Sequence, residues 1–299
     1  DFDVWQRGTS FTISSAGPGE FTADRWKFMG NNFTGSLTRN AFATNQTDVP
    51  DCPAYYVRWI NNTTMSPGQK SQFLTPIELI PNGFKLANQE VTFSCWLKSV
   101  SGTIPDGNIT LIKESAVYPS VGAIGTTWTK FTHTWTVWNS NQGYMWIGFE
   151  CPATYSLTNG LDIAHCQLEI GDTATPFEHK TYGQELTACQ RYCEKLHGDT
   201  QYEMVSMQFA YNTTSTEGIL YYLPKRANPT ITQYSTGAGG WKISYSTLTS
   251  VLSAVPTFDL ITLTNSRISA SISSGLTALQ GCYLRTEEDT SYIIVDAEL

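Results

Sequence analysis

Cleaving a glycosidic bond takes two carboxyl groups held about 5 Å or about 6.5–9.5 Å apart. The chain offers Glu114, Glu150, Asp162 and Glu169 as candidates, and no spacing singles out a pair among them. Glu287, Glu288 and Asp289 form an acidic run that reads as a solvated hairpin. The four histidines are scattered. His133 falls on the apolar side of an alternating segment and reads as a hydrogen-bonded interior residue, while His179 stands in "PFEH", where it would fix a corner. The sequence contains no GxSxG, HExxH, Walker-type or dinucleotide fingerprint. No catalytic constellation is expected, and the chain is read as a non-enzyme.

Binding chemistry is written more clearly. Sugars present flat C–H faces ringed by hydroxyls, so their sites pair aromatic platforms with short polar side chains. Nine Trp and fifteen Tyr occur among abundant Asn, Thr and Ser. Most rings must fill cores, as Trp5, Trp26, Trp59 and Trp135 are expected to do. Those left for a ligand lie on the polar side of an alternating segment or in a loop. They are Trp96, Trp128, Trp138 and Tyr118 in the first part of the chain. In the second part, Tyr234, Trp241 and Tyr245 flank "STGAGG" (235–240), whose glycines predict a mobile loop.

These rings need strands to hold them. In "VTFSCWLKS" (91–99), Val91, Phe93, Cys95 and Leu97 share one side and Thr92, Ser94, Trp96 and Lys98 the other. "KFTHTWTVW" (130–138), "YMWIGFE" (144–150), "LDIAHCQLEI" (161–170) and "AYYVRWI" (54–60) alternate likewise. Turn signals separate them: "GPGE" at 17–20, "PNG" at 81–83, "PDGN" at 105–108 and "NQG" at 141–143. The period then changes once. Over 181–196, Leu186, Cys189, Cys193 and Leu196 recur at helical intervals, and Thr181 with Gln184 has the spacing of a capping box. Alternation resumes from 202 to the end. The expected fold is all-β: two antiparallel, jelly-roll-like β-sandwich domains, 1–178 and 199–299, joined by one short α-helix within 179–198.

Composition narrows the partners. Charged residues are 15% of the chain, and the net charge of −8 comes without a Lys/Arg cluster, which argues against nucleic acid. No apolar run reaches the length of about 18 residues needed to span a bilayer, so membrane insertion is not expected. The first residue is Asp1 rather than Met, and no leader pattern opens the sequence, which fits a processed product or part of something longer. The seven cysteines are odd in number and scattered, as for reduced thiols of a chain folded in a cytosol.

"FDVWQRGTSFT", "FTADRW", "IAHCQLEIGDTATPFEHKTYGQELTACQRYCEK", "LPKRANPTITQYS" and "IIVDAEL" together resemble the C-terminal region of bacteriophage and prophage tail-fibre-type proteins. "ATPFEH" with the following "QRY" is the most specific piece. Cys193, where a second Tyr would be usual, and Cys166, within the run-in to "QLE", depart from the pattern. The resemblance implies a jelly roll similar to carbohydrate-binding modules, a connector helix and a distal β domain, in a virion component that touches the host. It also implies a structural calcium where the chain enters the first sandwich, with Asp3 and Asp162 as the matching hard-oxygen ligands.

The expected function is a virion tail-fibre or receptor-binding protein, assembled in the host cytoplasm, that adheres to a host cell-surface glycan or polysaccharide without cutting it. A capsid decoration or head-fibre protein is the alternative, with a glycan depolymerase component as a third reading. Family fibres are commonly homotrimers, so the expected partners include copies of itself and other virion proteins. A helical apolar stripe and a terminal strand ending at Leu299 would be better buried between subunits than exposed.

Overall fold

The computed structural model of the chain describes residues 2–298 apart from 15–18, 31–33, 62–68, 80–85, 115, 139–142, 199 and 247; the side chains of 13, 14 and 116–118 are also outside the description. The turn expected at 81–83, parts of those at 17–20 and 141–143, Leu299 and the Tyr118 ring therefore lie outside the described residues. The chain divides into two compact units, Asp1–Glu185 and Leu186–Glu298.

Alternation in the first unit resolves into twelve strands among the described residues. They are β1 (Ser10–Ser14), β2 (Glu20–Phe21), β3 (Lys27–Gly30), β4 (Thr34–Ala41), β5 (Tyr55–Asn61) and β6 (Lys70–Glu78). Then come β7 (Glu90–Ser99), β8 (Thr110–Glu114), β9 (Ala116–Ser120), β10 (Thr129–Thr136), β11 (Tyr144–Pro152) and β12 (Leu161–Ile170). Every pairing is antiparallel, in two six-stranded sheets of order β1-β4-β5-β12-β7-β10 and β2-β3-β6-β11-β8-β9.

The inward positions of both sheets meet in one core. Val91, Phe93, Cys95 and Leu97 of β7 reach it from the first sheet, and Phe73, Leu111, Ile147 and Phe149 from the second. Trp5, Trp26, Trp59 and Trp135 belong to it too, as their sequence positions predict, with Trp26 stacked on Phe73 at 4.6 Å. Fully burying a side chain such as Leu, Ile or Phe contributes roughly 1.5–3 kcal/mol, so this set of rings and branched chains dominates the unit's stability.

One register break shapes the outer surface of the first sheet. Along β12, Ala164 pairs with Trp96 and Gln167 with Ser94, so His165 and Cys166 together face the lone Cys95. His165 takes φ +47, the left-handed conformation that lets one strand carry the extra residue.

The helix is shorter than its pattern suggests. α1 spans Tyr182–Gln190 and starts on the capping box, where Gln184 N–H donates to Thr181 Oγ1 (3.3 Å) and Thr181 N–H to Gln184 Oε1 (2.9 Å). Cys193 and Leu196, read as the end of a helical stripe, instead lie in strand β13 (Cys193–Leu196). Pairing with β22 (Tyr292–Asp296) captures this segment, with Cys193 opposite Asp296 and Leu196 opposite Ile293. Helical spacing lost to tertiary strand pairing.

The remaining strands, all in the second unit, are β14 (Met204–Ala210), β15 (Ser215–Tyr221), β16 (Thr230–Tyr234), β17 (Trp241–Tyr245), β18 (Leu248–Val251), β19 (Ala254–Asp259), β20 (Asn265–Ser271) and β21 (Gly281–Thr286). A three-stranded sheet, β13-β22-β16, supplies Ile293 and Val295 to a core shared with a seven-stranded sheet, β18-β17-β21-β14-β15-β20-β19. The terminal strand β22 is thus the centre of a sheet, not a free edge. Among the described residues the fold is all-β with one short α-helix.

Candidate functional site

β7 sets the site. Its outward residues Trp96 and Lys98 stand beside Lys130 and Trp128 on the β10 side: Lys130 pairs with Trp96, and Lys98 Nζ lies 5.1 Å from the centre of the Trp128 ring. Across β12, Asp162 is opposite both Lys98 and Arg58. Its carboxylate is fully buried and accepts from Arg58 Nε at 2.7 Å and Nη2 at 2.9 Å, with Lys98 Nζ at 3.5 Å. The hydrogen bonds to Asp162 hold the Arg58 guanidinium above its usual pKa. Tyr56, next along that side of β5, packs edge-on to Trp128 (5.5 Å) and to Phe42 (4.8 Å), and Phe42 lies 5.3 Å from Trp128. The result is a triangular cluster of rings beside an ion triad centred on the buried Asp162.

The "ATPFEH" segment forms the other wall. After β12 the chain turns back over the sheet's outer surface, tied down by the polar residues that alternation places there. Thr92 Oγ1 donates to Gly171 O (2.8 Å), Lys130 Nζ to Thr175 O (3.2 Å), and Glu178 N–H to Gln167 Oε1 (2.7 Å). Thr175 N–H and its hydroxyl both donate to the Glu169 carboxylate. This strap sets Phe177 against the bulged His165, stacked at 4.1 Å and 9°. His179 packs edge-on to both rings and lies 3.7 Å from the Asp51 carboxylate, fixing the corner as its sequence position suggests. Burial drives the His165 pKa down to about 4, so the imidazole is neutral at physiological pH.

Between strap, strand and the Pro50–Asp51 turn lies a cavity of about 410 Å³. Trp96, Phe177, His165, Pro50 and Pro176 give it apolar and aromatic walls, while Ser94, Asp51 and Lys130 add hydrogen-bonding groups. This is the size and mixture of surfaces that small polar ligands use.

Of the rings expected to face a ligand, the structure places Trp96 in the wall of this cavity and Trp128 in the neighbouring ring cluster with Tyr56 and Phe42. Trp138 is 67% exposed but stands apart, its backbone N–H donating to Glu114 Oε1 (2.7 Å). Three expectations need correction. Trp241 (0% exposed) and Tyr245 (5%) are core residues of the second unit, because β17 turns their sides toward the three-stranded sheet. Tyr234 remains half-exposed, stacked on Tyr292 at 4.8 Å. The glycine loop between them closes in a tight turn at Ala238–Gly240, with Thr236 Oγ1 bonded to Glu288.

Asp162 is the third: both its oxygens are held by Arg58 and Lys98 rather than turned to a calcium, and Asp3 lies by Cys166 and Gln167 instead of beside it. Among the described residues no three His, Cys, Asp or Glu side chains gather to hold a metal. Tyr56, Phe42, Asp51, His165 and Phe177 were not among the expected binding residues. Tyr56 could have been found, since it shares the polar side of "AYYVRWI" with Arg58; a loop residue such as Asp51 carries no periodic signal.

No family model and no curated protein matches the chain. Among solved structures, it is similar to the enzymatically active domain of bacteriophage CBA120 tailspike protein 4. The identity is 13% and the TM-score 0.34, over 53% of this chain and 21% of that one. A xylan-binding CBM22 domain of Paenibacillus barcinonensis Xyn10C matches 54% of this chain and 100% of its own, at 13% identity and TM-score 0.35. The tandem of two such domains from the same protein covers 97% of this chain and 98% of its own, also at 13% and 0.35.

Proposed function

We propose that the first sandwich is a glycan-adhesion module whose ligand lies along the groove from Trp128 past Trp96 to the strap. The observation that carries this is a cavity of about 410 Å³ walled by Trp96 and Phe177 with Ser94, Lys130 and Asp51, and next to it on the same sheet Lys98 against the Trp128–Tyr56–Phe42 ring cluster. Ring faces pack against sugar C–H faces, and the polar groups take hydroxyls. The four carboxylates singled out from the sequence each hold a partner, Glu114 accepting from the Trp138 N–H. Glu150 accepts from Gln72 (2.7 Å) and Lys70 (2.9 Å), Asp162 from Arg58, and Glu169 from Thr175. We therefore read the module as adhering without cleaving.

On this proposal the protein works on a phage virion, as part of a tail fibre or receptor-binding appendage, against a host-surface polysaccharide. Self-association completes it. The expected apolar helix stripe does not exist, so the trimer needs another surface. The seven-stranded sheet offers one: on its uncovered side Met207 (67% exposed), Phe209 (48%), Ile219 (51%) and Tyr221 (68%) cluster on the paired strands β14 and β15. Copies meeting there would gain avidity from weak single sites.

The test is a glycan array read with the intact protein, followed by adsorption of Trp96→Ala and Trp128→Ala variants to the array hits or to host cells. Loss of adsorption by variants that keep their fold supports the reading. Binding unchanged in both variants, or shortened glycan after incubation, overturns it. Light scattering that gives a single chain's mass removes the self-association claim.

A further inference from the structure

All seven cysteines are thiols in the structure, and two of them meet at the bulge. The break in β12 pairing leaves Ala164 opposite Trp96 and Gln167 opposite Ser94, so Cys95 of β7 has the doubled pair His165–Cys166 as its only cross-strand neighbours on that side. The bulge also turns Cys166 inward, where it packs against the same apolar core to which Cys95 belongs. We propose that Cys95 and Cys166 form a disulfide site, closed by oxidation across β7 and β12 beneath the glycan-adhesion groove.

The chemistry has an access route. Cys95 is fully buried, whereas Cys166 is half-buried and lines a separate cavity of about 190 Å³ with Asp3, Gln167 and Phe177. A small disulfide such as oxidised glutathione reaches Cys166 first. The Cys166 sulfur, losing its proton, attacks one glutathione sulfur, breaks that S–S bond and releases one glutathione thiol. Cys95, losing its proton, then attacks Cys166 in the mixed disulfide and releases the second. Two protein thiols are oxidised, one glutathione disulfide is reduced to two thiols, and both protons end on glutathione. Burial pushes the Cys95 thiol well above its usual pKa, which makes the second step the slow one.

The consequence lies in the groove. The cross-link would fix the bulge that presents His165 to Phe177, and with it the strap that forms one wall. A chain made in a reducing compartment and used outside it would stiffen this wall after release.

The experiment uses the full chain in a Cys52→Ser background, because Cys52 is exposed and would collect glutathione on its own account. After native incubation with oxidised glutathione, the expected intact mass is lower by two hydrogens. Proteolysis under acid should release one cross-linked species containing Cys95 and Cys166, and the melting temperature should rise by several degrees. A mass that stays unchanged, a glutathione adduct that persists on Cys166, or a cross-link at Cys189–Cys193 instead overturns the proposal. Cys166→Ser should abolish the cross-link. If that variant misfolds, differential alkylation of the oxidised parent after denaturation decides the matter, since only Cys95 and Cys166 should then be protected until reduction.

Discussion

Replacing Arg58 by Met strips the fully buried Asp162 of its bidentate partner and leaves only Lys98 at 3.5 Å. Removing one member of a buried ion pair costs about 3–5 kcal/mol, because the other is left desolvated. The Arg58 side chain is 27% exposed and Lys98 remains, so the low end applies, about 3 kcal/mol. For a unit spanning Asp1–Glu185, each kcal/mol lowers the melting temperature by about 2–4 °C. Calorimetry should therefore show the first unit's transition falling by roughly 6–12 °C.

The double variant Arg58→Met/Asp162→Leu should recover most of that loss, since a packed apolar pair is near neutral against a buried ion pair. The rings above supply an internal control: Tyr56 and Trp128 lose their brace in the single variant and regain a packed floor in the double. A single variant that costs less than about 1 kcal/mol, or a double variant no more stable than the single, would refute the claim that these charges are coupled in a dry site.

Neither calcium nor EDTA should move the wild-type melting temperature, because two cationic side chains already hold Asp162; a rise of several degrees with calcium would restore the metal reading. Trp241→Ala should destabilise the second unit by about 3–5 kcal/mol, as expected for a ring truncated in a packed core, while leaving the first unit's calorimetric transition unchanged. His165 titrates at about 4 when folded and near 6.5 when unfolded. The unfolded chain takes up the proton first, so this contribution is complete above about pH 6.5 and is lost as pH falls toward 4. His165→Phe should flatten that part of the stability–pH curve measured by urea titration.

The sandwich of the first unit was largely legible in the residue pattern. β7 shows why. Strict period two put Val91, Phe93, Cys95 and Leu97 on one side, and burial of all four follows because an antiparallel strand has only two sides to offer. The same rule left Trp96 and Lys98 outward; Trp96 lines the cavity and Lys98 lies over the Trp128 ring. For Trp241 and Tyr245 the glycine-rich neighbour misled, suggesting exposure although the strand's own alternation with Ile243 puts both on the core side.

Helical periodicity failed at 193–196 for a related reason. Spacing of Leu186, Cys189, Cys193 and Leu196 fits a helix, but the backbone groups of four residues found better partners on β22, about a hundred residues later in the chain. Local preference is worth tenths of a kcal/mol per residue, and a buried strand pairing outweighs it.

Relations between neighbours a few places apart were therefore encoded locally: alternating strands, the Thr181–Gln184 cap, and the pool of rings available for binding. The folded chain was needed to settle which rings meet, that Asp162 faces Arg58, that "ATPFEH" straps a sheet, and that the bulge sets Cys166 opposite Cys95. Each depends on strand order and register between segments up to about a hundred residues apart. Those are chosen by the packing of the whole core, so no local spacing encodes them.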